Sequence, residues 1–586
     1  MKRLLAGSMM TALTGALLMA APQEAEACGG FFCDGGPQPM PVDQTGEDIL
    51  FVMDQGQVEV HIRIEYEGEA ENFAWVIPAL SVPTEFNVGS QALFDAIKQA
   101  TVPTYGITNQ PDDCSLDDPQ GFGTAGDSAG GTGAGDPTGD DGNGGGVVVK
   151  AVEQVGAFEI TVIGTEGELN TQAVFDWLEE NGYQQDEAAR PIIEEYLQED
   201  HDLIAIKLIG GAGVDELHPI ALRFDHPEPC VPLRLTRIAA VDDMDVRTYF
   251  LADERVVPST YKHVLVNPLK IDWPNQASNY KEVITRAVDA DEADGRAFVT
   301  EYAGPSDVVQ TFGVYQETWN ADAFEGLDPE QVISTLTSQN LFTCGWDPNT
   351  GEDFCAGTHP LVDGLLLDYV IPEGVDPQDF YFNPSEYADQ IDLDVWNDGM
   401  DFAARLRERV IEPGLNAMRL LDTHDYLSRM YTTISPDEMT KDPMFHMNPD
   451  LEEVTNIRTG TNRQLCNGDS IWTLPDGREV YVPAGDPWPN IGGDEFWEEE
   501  VDEMPAAGAP MMLVNNTEAI NTALRSYNVE AGWDGEPPEP GANVDEGPEP
   551  GVEGCGCTTD DSKTGALWSA GFLFGLAALR RRKRRR

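Results

Sequence analysis

The chain has 586 residues, long enough for two or more domains, because a single hydrophobic core stops growing at about 250–300 residues. It carries 104 acidic and 35 basic residues, for a formal net charge of −69 at pH 7. A body this acidic repels nucleic-acid phosphates and anionic lipid headgroups, which argues strongly against nucleic-acid binding and leaves cations as natural counter-species. The alternative interpretation is that the charge keeps an exported protein soluble.

The N-terminus has the pattern of a secretory signal peptide. Lys2 and Arg3 precede an apolar run from residue 4 to 21, and Ala25-Glu26-Ala27 forms a small-x-small cleavage site. We therefore predict a signal peptide over residues 1–27 and a mature chain that starts at Cys28. A cysteine in that position also occurs in lipoproteins, but residues 25 and 26 do not form a lipobox, so ordinary cleavage is favoured.

Nine cysteines occur, and in an exported chain they are first interpreted as disulfide partners. The pairs close in sequence, Cys28 with Cys33 and Cys344 with Cys355, are disulfide candidates that would each close a short loop. Cys230 and Cys466 would instead join distant regions. Seven cysteines precede the C-terminal tail, so one of them is expected to be unpaired or bonded elsewhere.

The clearest structural signal follows the first cysteines. Apolar residues occupy every second position from Val58 to Tyr66, with polar residues between them, which is the period of a strand with one face in water. Turn residues at 54–56 and 67–69 connect this strand to apolar runs at 49–52 and 73–77. The pattern predicts a three-stranded antiparallel meander.

The same region resembles a known family. The sequence reads Cys-Gly-Gly-Phe-Phe from residue 28, Gln-x-Gly-Glu-x-Ile from residue 44, and Phe-Ala-Trp-Val-Ile-Pro from residue 73. The apolar segments at 203–208, 218–224 and 231–236 follow in a similar order. Together these segments resemble domain of unknown function 2330, an uncharacterised bacterial family, over roughly residues 28–268. The resemblance implies neither catalytic residues nor a cofactor.

The rest of the first region, residues 28–269, alternates strands with a few helices. Helices are predicted from Ser90 to Ala100, from Thr171 and from Pro191, whereas residues 111–146 contain almost no apolar side chain and are predicted to be a disordered insertion. The Gly-x-Ser-x-Gly match at 126–130 lies in that insertion, without the strand and helix that a nucleophile elbow needs. Further strands are predicted at 147–149, 158–162, 203–209, 220–224, 233–238, 246–251 and 264–267. Their hairpin-like spacing favours an antiparallel, sandwich-like fold of the α+β class.

Residues 270–527 are predicted to form a second, acidic α+β region with its own core. Helices are predicted to start at Asp328-Pro329, at Asp398 (ending at Pro413-Gly414), at Ser435 and at Thr517. The turn at 475–477 predicts a hairpin between apolar runs at 471–474 and 480–482. Residues 528–554, rich in Pro, Glu and Gly, are predicted to be a semi-rigid spacer.

The C-terminal segment, residues 555–586, contains three parts in a fixed order. Cys555 and Cys557 are followed by an apolar stretch from residue 565 to 579 and by seven consecutive basic residues. This arrangement resembles the MYXO-CTERM sorting tail of myxobacteria and their relatives. The resemblance implies a short transmembrane segment, processing near Cys555 and Cys557 by a sorting protease, and retention at the cell surface or outer membrane. The alternative is a plain C-terminal membrane anchor.

Few residues suggest a cofactor or metal site. Asp347, Asn349 and Asp353 alternate around a glycine between Cys344 and Cys355, and clustered oxygens of this kind suit calcium. The run departs from the EF-hand pattern, so an Asx-rich turn is the competing interpretation. His218 and His226 are interpreted as hydrogen-bonded residues at strand ends, not as metal ligands.

We therefore expect an exported protein, anchored to the cell surface, that acts as a binding or structural module. The alternative is an exported hydrolase whose active site one sequence does not reveal. No residue is assigned a catalytic role, calcium is the one cofactor considered, and no nucleic-acid partner is expected. The membrane and a sorting protease are the partners that the tail implies.

Overall fold

In a computed structural model, the described residues are 43–54, 56–67, 74–111, 147–165, 171–183, 188–209, 217–347 and 351–533. The strands are β1 Asp43–Asp54, β2 Gln57–Glu67, β3 Ala74–Ala79, β4 Glu85–Val88, β5 Thr104–Pro111, β6 Val148–Val155, β7 Phe158–Gly164, β8 Asp202–Leu208, β9 Ile220–Phe224, β10 Ala240–Ala252, β11 Val256–Pro258, β12 Lys262–Val266, β13 Ala297–Pro305, β14 Phe342–Asp347, β15 Glu352–Gly357, β16 Tyr426–Ile434, β17 Phe445–Met447, β18 Ile457–Gln464, β19 Ser470–Thr473, β20 Glu479–Val482, β21 Glu498–Glu503 and β22 Met511–Asn515. The α-helices are α1 Gln91–Thr101, α2 Thr171–Glu180, α3 Ala189–Gln198, α4 Leu233–Thr236, α5 Tyr280–Val288, α6 Val332–Ser338, α7 Val362–Tyr369, α8 Pro377–Phe382, α9 Leu393–Trp396, α10 Met400–Leu406, α11 Glu412–Thr423 and α12 Thr517–Ala531. This content confirms the predicted α+β class.

A ten-stranded sheet forms the centre of the fold, in the order β22-β21-β12-β13-β16-β10-β1-β2-β9-β4. Neighbouring strands are antiparallel except for the parallel pairs β1–β10 and β12–β13. Strands from before and after residue 269 are interleaved in this sheet, since β12 lies between β21 and β13. The predicted boundary at residue 269 therefore does not divide the chain into two separate sheets.

A second, four-stranded antiparallel sheet, β3-β8-β7-β6, packs against one face of the central sheet. Phe51 and Val60 of the central sheet share a buried core with Ile77, Ile160 and Ile204 of the smaller sheet. The predicted sandwich-like packing is therefore confirmed for the first region. Its pairing is not antiparallel throughout, because β1 pairs in parallel with β10, and β5 and β12 pair in parallel with β18 and β13 of the second region.

The predicted meander is wrong in its third strand. β1 and β2 form the expected hairpin through Gly56, whose φ of +94° suits glycine, but β3 crosses to the smaller sheet and pairs with β8. The physical reason lies in the side chains of β3. Trp75 and Ile77 face the sandwich core while Val76 faces the core beneath α2 and α3, so both faces of β3 are covered.

The prediction that one face of β2 is in water is also wrong. Glu59 is 6% exposed and His61 is 2% exposed, because α1 and α11 cover this face of the central sheet. Arg63 forms an ion pair there with Asp48 of β1, which is fully buried. Burial raises the pKa of Asp48, but Arg63 and other nearby cations outweigh that effect and hold the pKa below its ordinary value.

Several predicted helices are confirmed, including α1, whose start is capped by Ser90 accepting a hydrogen bond from the Leu93 amide at 3.2 Å. Three local predictions are wrong. The segment at 233–238 contains the short helix α4 instead of the predicted strand, and no helix starts at Ser435. The helix containing Phe402 does not stop at Pro413, because a π-helical turn over Arg407–Ile411 joins α10 to α11, and proline is tolerated in the first turn of α11.

An insertion between β13 and β16 contains most of the helices of the second region. Helices α6 to α10 and the hairpin β14–β15 enclose a separate core that includes Phe324, Leu366, Trp396 and Phe402. A further sheet, β20-β19-β18-β5, contains the predicted β19–β20 hairpin. Trp472 and Val480 of this hairpin share a different buried core with Ile520 and Leu524 of α12. Helix α12 continues to Ala531, past the predicted start of the spacer at residue 528.

The described cysteines differ in their bonding. Cys344 and Cys355 form a disulfide across the β14–β15 hairpin, which confirms that predicted pair, and Cys466 is also disulfide-bonded. Cys230 has a free thiol and does not join distant regions. Cys28, Cys33, Cys555, Cys557, the signal peptide, most of the predicted insertion and the sorting tail lie outside the described residues. Within the described ranges, every helix is too short or too polar to cross a bilayer.

Candidate functional site: a cavity between the two sheets

A cavity of about 80 Å³ opens between the central sheet and the smaller sheet. One wall comes from apolar residues of β1, β2 and β9, including Phe51, Val60 and Leu222, and the other wall comes from Ile77, Ala79 and Ile204 of β3 and β8. The walls are apolar because alternate residues of each strand point into the sandwich core. Pro78 also lines the cavity, next to the small side chain of Ala79. Since a water molecule needs about 10–15 Å³ on this scale, the cavity has room for a small apolar molecule.

A polar cluster stands at the mouth of the cavity. Asp442 accepts hydrogen bonds from the Tyr196 hydroxyl at 2.9 and 2.8 Å and from the Arg234 amide and Nε, both at 3.0 Å. The Arg234 guanidinium lies 4.0 Å from the centre of the Tyr196 ring and also pairs with Glu199 at 2.6 Å. This network fixes α3, α4 and the loop after β16 against one another, so it gives the mouth a defined shape.

The free thiol of Cys230 lines the same cavity. Burial and the nearby Asp442 carboxylate raise the pKa of this thiol well above its ordinary value, although Arg234 acts in the opposite direction. The thiolate is the nucleophilic form of cysteine, so a thiol kept protonated is poorly suited to attack a substrate. The chemistry of this site therefore favours noncovalent binding.

Two histidines also line the cavity. The His201 ring packs edge-on against Tyr196 at 5.2 Å between ring centres, and its buried Nδ1 has no hydrogen-bond partner among the described residues. Burial lowers the pKa of His226, which favours its neutral form. The unpartnered His201 Nδ1 is therefore available to orient a ligand at the mouth, whereas the Asp442 carboxylate is already bonded within the protein.

The two histidines that the sequence analysis singled out have different settings. His218 is buried, its Nε2 accepts a hydrogen bond from the Ala157 amide at 3.0 Å, and its Nδ1 donates to the Pro219 carbonyl at 2.9 Å. Burial lowers its pKa to about 4, so it is a neutral structural residue. His226 instead lies at the cavity, a role that its sequence position did not reveal.

The calcium candidates are only partly described. Asp347 ends β14, Asn349 lies outside the described residues, and the Asp353 side chain is exposed on β15. Within the described ranges, no group of three or more His, Cys, Asp or Glu side chains is arranged to hold a metal ion. Calcium binding by Asp347, Asn349 and Asp353 stays a prediction.

A separate pair of acidic side chains makes stability depend on pH. Burial, followed by the Asp289 and Asp437 carboxylates, raises the pKa of Glu438 to about 7, and the protonated Glu438 donates a hydrogen bond to Asp289. Because the folded-state pKa lies above the ordinary value near 4.5, the stabilisation is complete below about pH 4.5 and is lost as pH rises through 7.

We compare the free energy of unfolding of Glu438→Gln with that of the unmodified protein. This difference is expected to favour the variant by about 1 kcal/mol more at pH 8 than at pH 5, after allowance for solvent screening at this half-exposed site. Urea unfolding at both pH values measures the effect. Glu282→Gln, on the exposed face of α5, is the control and should change nothing with pH. Equal stability of the Glu438→Gln and unmodified proteins at both pH values would contradict a raised pKa.

Sequence reasoning missed this cavity because its residues come from separate segments spread over residues 49–442. Each wall strand has an ordinary core pattern, which does not distinguish a filled core from one with a gap. The odd number of cysteines before the tail was one usable signal, and among the described cysteines Cys230 has a free thiol. The neighbouring His226 was the other.

The fold and its cavity define a sandwich-like α+β protein with an apolar cavity between two sheets. Residues 22–319 match a family model described as an uncharacterised protein conserved in bacteria, DUF2330, and the chain belongs to that family. No curated protein sequence matches the chain. Among solved structures, the crystal structure of baculovirus P35 is similar at 12% sequence identity and a TM-score of 0.19, over 39% of this chain and 74% of that chain. A TM-score this low carries no argument about fold or function.

Proposed function

We propose that this protein is an exported, surface-anchored binding module that holds a small apolar ligand in the cavity between its two sheets. The observation that carries the proposal is the cavity itself: apolar walls, a hydrogen-bonded polar mouth and two histidines able to orient one end of a ligand. Binding sites for small molecules typically combine these features. Binding is favoured over a hydrolase that would use Cys230 as its nucleophile, because burial raises the pKa of this thiol.

The cellular location in this proposal rests on the two ends of the sequence. Residues 1–27 have the pattern of a signal peptide, and the tail after Cys555 has the order of a MYXO-CTERM-like sorting signal. The net charge of −69 suits a protein that stays in solution outside the membrane. The tail would hold the protein at the membrane until a sorting protease processes it.

The binding proposal is tested by the thermal stability of the purified protein in a series of straight-chain alcohols from butanol to decanol. A ligand that binds only the folded state raises the melting temperature. We expect the shift to grow with chain length until the cavity is full. Ala79→Leu places a larger side chain in the cavity wall and should weaken the apparent affinity at least tenfold. Ala323→Leu makes the same change at an exposed position and should leave the shift unchanged.

An equal shift in all three proteins would contradict binding in the cavity. Because Ala79→Leu could disturb packing, Leu80→Ala at the exposed part of the mouth provides a second variant, with a change in the preferred alcohol length as its readout. Native mass spectrometry of protein isolated from cell surfaces would identify the natural ligand. The same masses report the processed ends, and a chain that retains Arg580–Arg586 would contradict sorting in favour of a plain anchor.

A further inference from the structure

We propose that the free edge of β22 is a docking site at which an extended, cationic polypeptide segment adds a strand to the central sheet. β22 ends the ten-stranded order and pairs only with β21 among the described strands. One side of its backbone therefore presents amide and carbonyl groups that an incoming strand can bond, the recognition mode known as β-augmentation.

The side chains of β22 fit a partner better than they fit water. Met511, Met512 and Leu513 are 57%, 52% and 40% exposed, and they are consecutive. The opposite edge of the same sheet, β4, has four residues with exposed Glu85 and Asn87. Proteins commonly protect sheet edges with short, polar strands of that kind. β22 has no such protection, which is typical of an edge that binds another chain.

The charge beside β22 indicates the kind of partner. Asp502 of β21 lies opposite Met512 and is only 6% exposed, yet its Oδ1 has no hydrogen-bond partner among the described residues. The Glu500 carboxylate accepts a hydrogen bond from the Asn515 side-chain amide at 2.7 Å, its one bond among the described residues. Within the same residues, neither Asp502 nor Glu500 forms an ion pair with a lysine or arginine. By contrast, Glu503 on the same strand pairs with Lys262 at 2.5 Å.

The titration of these carboxylates is consistent with a missing cation. Burial raises the pKa of Asp502, and burial followed by the charges of Asp502 and Glu499 raises the pKa of Glu500. An incoming strand would lie two strand spacings from β21, about 9.5 Å, a distance that a long lysine or arginine side chain can bridge by extending past β22 toward Glu500. Binding an unpartnered buried carboxylate to a cation removes much of its desolvation cost.

A second copy of this chain is the less favourable occupant. Each copy carries a net charge of −69, and edge-to-edge pairing would bring two sets of unpaired β21 carboxylates toward each other. A basic segment of a different protein relieves this repulsion instead. The strand has five residues, so the expected interaction is of modest affinity and depends on salt concentration.

The test measures binding of fluorescent peptides of about eight residues, the length of a typical strand. One peptide alternates valine with lysine and the other alternates valine with glutamate. We expect only the lysine peptide to bind, with affinity at least tenfold weaker after Met512→Lys, which places a positive charge on the edge. Glu500→Gln keeps the bond to Asn515 but loses the charge, and should weaken binding several-fold. Val152→Lys, on the exposed edge strand β6, is the matched control and should bind normally.

Equal binding of both peptides, or full binding by Met512→Lys, would overturn the proposal. Sedimentation velocity of the protein without peptide tests the other occupant, and a dimer abolished by Met512→Lys would assign the edge to a second copy. Melting temperatures of the variants should match that of the unmodified protein, because the substituted side chains are exposed or keep their hydrogen bond. A lowered melting temperature together with normal peptide binding would also count against a role for this edge.

Discussion

Gly399→Ala is expected to destabilise the protein by about 2–5 kcal/mol, through backbone strain and overlap with a neighbouring carbonyl. Gly399 lies between α9 and α10 with φ of +75°, a conformation that residues with a Cβ rarely adopt. An added Cβ would stand 1.9 Å from the Phe324 carbonyl oxygen. The backbone cannot move easily there, because Phe324 packs on Phe402 in the core of the insertion.

Gly374→Ala is the matched control for this prediction. Gly374 has nearly the same φ, +82°, but nothing lies within 4 Å of the added Cβ. The substitution should cost about 1 kcal/mol, from backbone strain alone. Urea unfolding followed by circular dichroism measures both variants. If the two substitutions cost the same, close approach of the backbone at Gly399 is not what requires glycine.

Arg429→Met is expected to destabilise the protein by about 3–5 kcal/mol, because it leaves the Glu301 carboxylate buried without its cation. Arg429 is 4% exposed and Glu301 is 1% exposed, and they are 2.5 Å apart. Arg429 also donates to the Lys98 carbonyl at the end of α1, at 3.1 Å. Glu301 accepts a second hydrogen bond from Tyr280 of α5 at 2.7 Å. The pair thus joins the central sheet to helices on both sides of the predicted boundary.

A double substitution separates the ion pair from simple packing. Adding Glu301→Gln to Arg429→Met removes the unpaired charge and should recover part of the lost stability, as expected for coupled residues. Arg525→Met breaks an exposed pair with Glu518 and should change the free energy of unfolding by less than about 0.5 kcal/mol. A loss at Arg429 as small as that at Arg525 would show that the buried pair is not important for stability.

Local chemistry in the sequence predicted many elements correctly. Ser90 caps α1, the turn at Asp476-Gly477 joins β19 to β20, and Cys344 lies close enough in sequence to Cys355 to close a hairpin. These features depend on residues a few positions apart, so a single sequence contains the necessary information. The α4 helix is the exception, because Leu233 and Leu235 alternate with polar residues as in a strand, over a segment too short for the period to distinguish strand from helix.

The neighbours of each strand were not predictable in the same way. The alternation in β2 correctly separated its two faces, but it did not show that α11, more than 300 residues later, buries the Glu59 face. Likewise, β1 pairs in parallel with β10, a contact between segments nearly 200 residues apart. Periodicity defines which side chains share a face, whereas burial of that face depends on partners that no local pattern identifies.

The sequence by itself determined the acidity, the family resemblance, the α+β class, most local elements and the expectation of export. Tertiary structure decided which faces are covered, that Cys230 is unpaired beside a cavity, and that β22 stands at an open edge. The reason is that composition and short-range patterns are properties of neighbouring residues. A cavity or a free edge is a property of distant strands, and exists only where packing leaves a wall or a backbone without a partner.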